Sequence, residues 1–300
     1  MKPKIITILS GKGGVGKSSI TGSLAVLLSK EKKIIAVDCD VDASNLGLVL
    51  GLEENDFESW EHTETSEKAK LIEDKCVSCR KCLEVCNFSA ITWNDEKNLP
   101  IFNKFLCEGC GACTLVCPTK AIELVKVKNA KIGIGKTPYG FPIISGQLEM
   151  GESGSGKVVT EVKNKAMKIA EREKAEIMLV DSAAGIGCPV IASVNGSDFV
   201  IAVTEPTPSA LNDLKRALSV VEHFRIPYGL IINKYDINPE FTKKIEEFAK
   251  ENGIPILGLI PYSKKFVEAV INMKPVIVYE KRFESIFEEI KEKIVENPNI

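Results

Sequence analysis

Residues Gly11 to Ser18, GKGGVGKS, match G-x-x-x-x-G-K-[ST] and stand between an apolar run, Ile5 to Leu9, and a stretch with apolar residues at Ile20, Leu24, Leu27 and Leu28. This succession of strand, glycine loop and helix restricts the fold more than any other feature, since the loop has meaning only where a helix starts directly after a strand. The glycines let backbone N–H groups turn inward around phosphate oxygens, and the helix adds the positive end of its dipole. Gly11, Lys12, Gly13, Gly14, Val15, Gly16, Lys17, Ser18 and Ser19 are the candidate nucleotide-binding residues, with Lys17 reaching the outer phosphates and Ser18 ligating Mg2+.

The same rhythm continues along the chain. IIAVDCD from Ile34, EIMLVDS from Glu176, DFVIAVTE from Asp198, YGLIINKYD from Tyr228 and PILGLIPYS from Pro255 read as strands, and continuous β-branched runs of this kind suit strands buried on both faces of a parallel sheet. Between them lie helical patterns, one of them an apolar stripe at Ala210, Leu211, Leu214, Ala217, Leu218 and Val221. The expected fold is a doubly wound α/β sheet, mostly parallel.

Between about residues 67 and 128 a second pattern takes over. Cys76-x2-Cys79-x2-Cys82-x3-Cys86 is followed by Ala90-Ile91, and 31 residues later Cys107-x2-Cys110-x2-Cys113-x3-Cys117 is followed by Ala121-Ile122. The run C-x2-C-x2-C-x3-C is the bacterial ferredoxin pattern for 4Fe-4S clusters, in which the fourth cysteine serves the other cluster. Cys76, Cys79, Cys82 and Cys117 are thus assigned to one cluster, and Cys107, Cys110, Cys113 and Cys86 to the second. Zinc is the competing reading, but structural zinc sites usually pair two C-x2-C knuckles across a long loop. The first run ends Cys86-Asn87 where the second ends Cys117-Pro118, a difference that bears on cluster potential rather than ligation. The expected organisation is an ATPase domain over 1–66 and 129–300, with a small α+β ferredoxin-like domain inserted over 67–128.

Lys plus Arg total 39 against 41 Asp plus Glu, a net charge of −2, which gives no broad attraction for nucleic acid. No apolar run reaches the ~18 residues of a membrane span, and the start reads as a strand rather than a signal peptide. The C-terminal stretch FESIFEEIKEKIVENPNI reads as an amphipathic helix, too acidic on its polar face to seek a membrane. A cytoplasmic protein is expected, and ten cysteines in such a chain favour metal binding over disulfides.

SGKGGVGKSS followed by VDCDVDASNLGLVLG resembles the deviant phosphate loop and first switch of the MinD/ParA ATPases and the nitrogenase iron protein. The resemblance implies a homodimer that forms around ATP, with Lys12 contacting the nucleotide of the opposite subunit. It also implies that Asp40 positions the attacking water, that Asp38 and Asn45 are neighbouring switch residues, and that Asp181 holds Mg2+ through water. Lys12, Lys17 and Asp40 are the implied catalytic residues. Cys188 stands seven residues beyond Asp181, where the iron protein has a cluster ligand, but Glu152 in GESGSGK stands where that protein has its second cysteine. Cys188 is therefore a possible ligand or redox residue, and Cys39 reads as core. Asn233-Lys234-Tyr235-Asp236 has the N-K-x-D form of many GTPases, while Lys12 marks an ATP-using branch. ATP is favoured, with Asn233 contacting adenine.

Over nearly the whole chain the order of motifs resembles MinD-superfamily ATPases with an inserted ferredoxin domain. The expected function is ATP hydrolysis coupled to electron transfer, with an unidentified redox or iron-sulfur protein as partner. ATP-dependent cluster assembly or carriage is the alternative, and a MinD/ParA-like spatial organiser is the third reading.

Overall fold

A computed structural model of the chain describes residues 2–152 and 154–297. It divides into two compact units: residues 1–61, 132–147 and 155–300 form the larger, and residues 62–131 and 148–154 the smaller. Residues 67–128 lie in the smaller unit, which also takes in 62–66, 129–131 and the segment 148–154.

The larger unit is built on a nine-stranded sheet whose order is Ile256–Ile260, Tyr228–Asn233, Phe199–Thr204, Lys4–Ser10, Ile177–Ala184, Ile34–Cys39, Pro142–Leu148, Ala130–Lys136 and Ser59–Thr63. The first seven run parallel. The five apolar runs after the phosphate loop are all among them. Alternate residues of each strand feed opposite faces, as the period of two requires. Ile201, Val203 and Ile231 join one apolar cluster with Leu24, Leu27 and Phe287. Val200, Ala202, Leu230 and Ile232 join another with Leu214, Ala217, Leu218 and Val221. The stripe read from the sequence thus faces the sheet from the helix Pro208–His223. The helix Glu284–Val295 presses Phe287, Ile290 and Ile294 into the first cluster, each side chain at most 1% exposed. Its amphipathic face serves the core; the last three residues of the stretch read as helix, 298–300, lie outside the described residues. Among the described residues no helix is long and apolar enough to cross a membrane.

The smaller unit holds two antiparallel pairs, Ser66–Leu71 with Ile122–Val127 and Ile91–Asn94 with Leu99–Phe102, and two short helices, Lys81–Val85 and Ala112–Val116. Its repeat is a backbone repeat as well as a sequence one. Ser78, Arg80 and Ser89 have positive φ (56°, 61° and 51°), and so do Gly109, Gly111 and Lys120 (63°, 78° and 53°), each 31 positions later. At Gly109 the requirement is also steric, because a Cβ there would lie 2.1 Å from the carbonyl oxygen of Glu67.

Candidate functional site

The phosphate loop runs from the end of the strand Lys4–Ser10 into the helix Lys17–Ser29. Gly14 and Gly16 hold left-handed backbone (φ 80° and 92°), open to glycine at little cost. Gly11 packs so close that a Cβ would lie 2.2 Å from the backbone of Asp213. Lys17, 7% exposed, sets its ammonium 2.9 Å from Asp181 Oδ1 and 4.0 Å from Asp40 Oδ2. Thr21 donates its hydroxyl to the same Asp181 oxygen at 2.8 Å, while Asp181 Oδ2 is buried without a hydrogen-bond partner. That orphaned oxygen, one strand end from the loop, is the structural reason to regard the site as fit for Mg2+.

Burial pushes the Asp40 carboxyl above its usual range, opposed by the charge of Lys17. Asp38 is pushed further, to about 7, by burial and by the charge of Asp181. Its carboxylate accepts from Asp40 N, Ser44 Oγ and Leu46 N at 2.9–3.1 Å, so it fixes the turn that carries Asp40. Ser18, Asp40 and Asn45 line one cavity of about 840 Å3 with Gly13, Gly14 and Lys17. Asn45 spends its amide N–H on Ala43 O at 2.7 Å.

Glu205 stands out among residues that no motif predicted. Its carboxylate, 11% exposed, accepts from Lys12 Nζ at 3.2 Å and from Lys234 Nζ at 2.8 Å. Burial alone would raise its pKa, but the hydrogen bonds and charges of Lys234 and Lys12 outweigh it and hold the group below the usual carboxylate range. Lys234 also donates to Gly14 O at 3.0 Å. Both lysines are thereby tied down beside the loop.

Asn233 is 3% exposed, and both ends of its amide are engaged: Nδ2 donates to Val15 O at 2.7 Å and Oδ1 accepts from Lys234 N at 2.9 Å. It braces the phosphate loop at Val15. Asp236 Oδ1 accepts from Tyr262 N at 2.6 Å. Asn233 and Lys234 border a largely apolar cavity of about 810 Å3 walled by Ser19, Pro261, Tyr262, Phe266, Val267 and Ile271.

All ten cysteines are free thiols. Cys39 is fully buried in its strand, its thiol pushed up to about 12 by burial. Cys188 is exposed at the start of the helix Cys188–Val194, close enough to Gly156 that a Cβ on that glycine would lie 2.9 Å from Cys188 Cβ. Glu152, within the smaller unit, is paired with Lys68 at 3.1 Å, both side chains largely buried; Ser153 of the same stretch lies outside the described residues. Among the described residues no three His, Cys, Asp or Glu side chains converge on a point fit for one metal ion. Instead the other eight thiols stand around two cavities in the smaller unit. One, of about 340 Å3, is walled by Cys86, Cys107, Cys110 and Cys113. The other, of about 330 Å3, is walled by Cys76, Cys79, Cys82 and Cys117. Backbone N–H groups already point at the sulfurs: Ala90 N to Cys86 Sγ at 3.3 Å, its repeat mate Ala121 N to Cys117 Sγ at 3.2 Å, and Ala69 N to Cys107 Sγ at 3.4 Å.

Compared with known families, residues 6–276 match the CobQ/CobB/MinD/ParA nucleotide-binding domain. The chain belongs to this family. It is 45% identical over 233 residues to protein MJ0578 of Methanocaldococcus jannaschii, covering 78% of this chain and 79% of that protein. It is 23% identical over 306 residues to the iron-sulfur cluster carrier protein of Pyrococcus horikoshii, covering 97% of this chain and 85% of that one. Its fold matches the septum site-determining protein MinD of Pyrococcus horikoshii, solved with Mg-ADP, at a TM-score of 0.57 and 19% identity, over 98% of this chain and 96% of that one. The phosphate loop and parallel sheet described above are therefore those of a MinD/ParA-type P-loop ATPase.

Proposed function

We propose that the chain is an ATP-hydrolysing switch coupled to electron transfer through two 4Fe-4S clusters, carried by an inserted ferredoxin-like domain over 67–128. The observation that carries this reading is the division of eight thiols between two cavities, each walled by three cysteines of one repeat and the fourth of the other. Four soft thiolates drawn from two crossed C-x2-C-x2-C-x3-C runs suit a cubane better than a single ion. Held there, the clusters supply one-electron oxidation and reduction.

The chain's own residues supply the rest. Phosphates of ATP enter the loop 11–18 and draw Lys17 away from Asp181, because the polyphosphate carries more charge than one carboxylate. Ser18, and Asp181 through water once relieved of its ion pair, would then hold Mg2+, with Oδ2 of Asp181 already lacking a donor. Asp40 orients the attacking water, held in place by the turn on Asp38. Lys12 leaves Glu205 and reaches the nucleotide of a second copy, where its charge stabilises the transition state and closes the dimer. Adenine is the base this account favours: Asp236, which would grip guanine, is occupied by Tyr262 N.

The test is anaerobic reconstitution of the full chain with iron and sulfide. About eight iron atoms per chain and absorption near ~400 nm are expected, with Cys113→Ser losing about half. One or two metal atoms without sulfide would defeat the redox reading and leave zinc. Cluster carriage is a second reading, favoured by the exposed thiol of Cys188 beside Gly156 and by the named carrier among the relatives. It requires the loaded protein to restore iron to an apo-ferredoxin and Cys188→Ser to impair that transfer.

A further inference from the structure

The two thiol cavities differ at four positions that the 31-residue repeat makes equivalent; at one of them Thr119, whose hydroxyl lies 3.8 Å from Cys117 Sγ, stands where the other cavity has Phe88. Val77, Arg80 and Trp93 line the cavity of Cys76, Cys79, Cys82 and Cys117. Their counterparts Glu108, Gly111 and Leu124 line the cavity of Cys86, Cys107, Cys110 and Cys113. An apolar side chain thus replaces a carboxylate, a guanidinium replaces nothing, and an indole replaces an alkyl group. The Trp93 indole N–H is buried and has no hydrogen-bond partner, and the Arg80 guanidinium stacks on the Trp93 ring at 4.7 Å. A buried donor without an acceptor costs stability unless a group in the cavity accepts from it.

We infer that Trp93 and Arg80 make the first cavity the electron-accepting end of the pair, so that its cluster has the higher reduction potential and an electron entering the unit settles there. This rests on the two-cluster reading above. Reduction adds one negative charge to a cluster; a neighbouring cation and N–H donors to sulfur favour it, and a neighbouring carboxylate opposes it. One difference runs the other way. Ala69 N gives the second cavity a backbone bond, to Cys107 Sγ, beyond the matched pair at Cys86 and Cys117. Against that one neutral donor stand the indole N–H, the Arg80 charge and the Glu108 charge. Asp95, 3.4 Å from Arg80, is 87% exposed and Arg80 is 56% exposed, so water screens both charges and the guanidinium adds less than the buried indole N–H. Transfer between the clusters is balanced: one cluster loses one electron, the other gains it, and the electron comes from an external one-electron reductant, titanium(III) citrate in the test.

The test is a redox titration of the reconstituted full chain, followed by electron paramagnetic resonance. Two separate midpoints are expected. Trp93→Phe lowers the higher one by about tenfold in the reduction equilibrium, ~59 mV for a one-electron couple, and leaves the lower one in place. Arg80→Gly, which recreates the residue of the other repeat at a backbone already suited to glycine (φ 61°), lowers the same midpoint. Glu108→Gln raises the lower midpoint alone, and this exposed residue keeps the test alive should Trp93→Phe fail to fold. Coincident midpoints in a chain with its full iron, or a shift of the lower midpoint on Trp93→Phe, would overturn this inference while leaving the two-cluster reading intact. A chain that takes up no iron overturns both.

Discussion

The charged groups around the phosphate loop come from strand ends spread between Lys12 and Lys234, whereas the eight cavity thiols all fall between Cys76 and Cys117. The first arrangement exists only because a parallel sheet brings Lys4–Ser10, Ile177–Ala184, Phe199–Thr204 and Tyr228–Asn233 near one another, and two apolar clusters hold that sheet on both faces. The second has almost no core of its own. Its buried apolar cluster is Cys82, Ile91, Cys113 and Ile122, each 6–8% exposed, so two of the four are thiols assigned to metal. A unit this thin ordinarily needs a staple. The nucleotide site is thus organised by its fold before ligand arrives, whereas the proposed function would have the thiol unit organised by what it binds.

The largest effect that could break this contrast is removal of iron. A chelator under anaerobic conditions should open residues 62–131 to proteolysis while the larger unit keeps its protection and its nucleotide affinity. Equal resistance of the two units, read by mass spectrometry of the fragments, would show that the thiol unit is stable alone. Next comes the nucleotide site: Lys17→Ala or Asp181→Asn should lower ATP turnover by about 10²–10³-fold with unchanged iron content. Loss of iron in these variants would mean that the two regions are not separately organised.

A smaller effect is expected at Glu205. Glu205→Gln removes the charge shared by Lys12 and Lys234 and one of the two oxygens that accept from them, and should cost about 2 kcal/mol in the nucleotide-free protein. The cost should shrink when ATP is added, since Lys12 then finds phosphate. Thermal shifts with and without Mg-ATP read this directly. A further effect concerns pH. Asp38 binds its proton more tightly folded, at about 7, than it does in the unfolded chain. Between ~4 and about 7 the native state therefore holds more protons, and this group's contribution to stability falls as pH rises through that window and is flat above it. Asp38→Asn should flatten that slope in denaturant titrations. A slope unchanged by the substitution would place its origin elsewhere.

Much of this was legible in the sequence because it is local. The phosphate loop, the apolar strands and the cysteine repeat each announce themselves within a few residues. The strand Pro142–Leu148 was not, since PIISGQL carries proline and glycine; Gly146 is small because a Cβ would meet Val162 at 2.5 Å. The edge strand Ser59–Thr63 and its neighbour Ala130–Lys136 escape the sequence for their polar or glycine-broken patterns. Glu205 has no motif: its role depends on two lysines 193 and 29 residues away. Asn233 is visible as part of N-K-x-D, but only the structure shows its amide donating to Val15 O. The segment 148–154 groups with 62–131 through contacts such as Lys68 with Glu152, which no spacing announces.

The coupling of the two regions is the centre of this account, and the most direct measurement is the paramagnetic resonance spectrum of the reduced, reconstituted chain with and without Mg-ATP. Two cluster signals are expected, altered by Mg-ATP in the native chain and unaltered in Lys12→Ala, whose iron content stays full. Signals indifferent to nucleotide in the native chain would contradict the coupling and leave an ATPase and a pair of clusters that merely share a polypeptide.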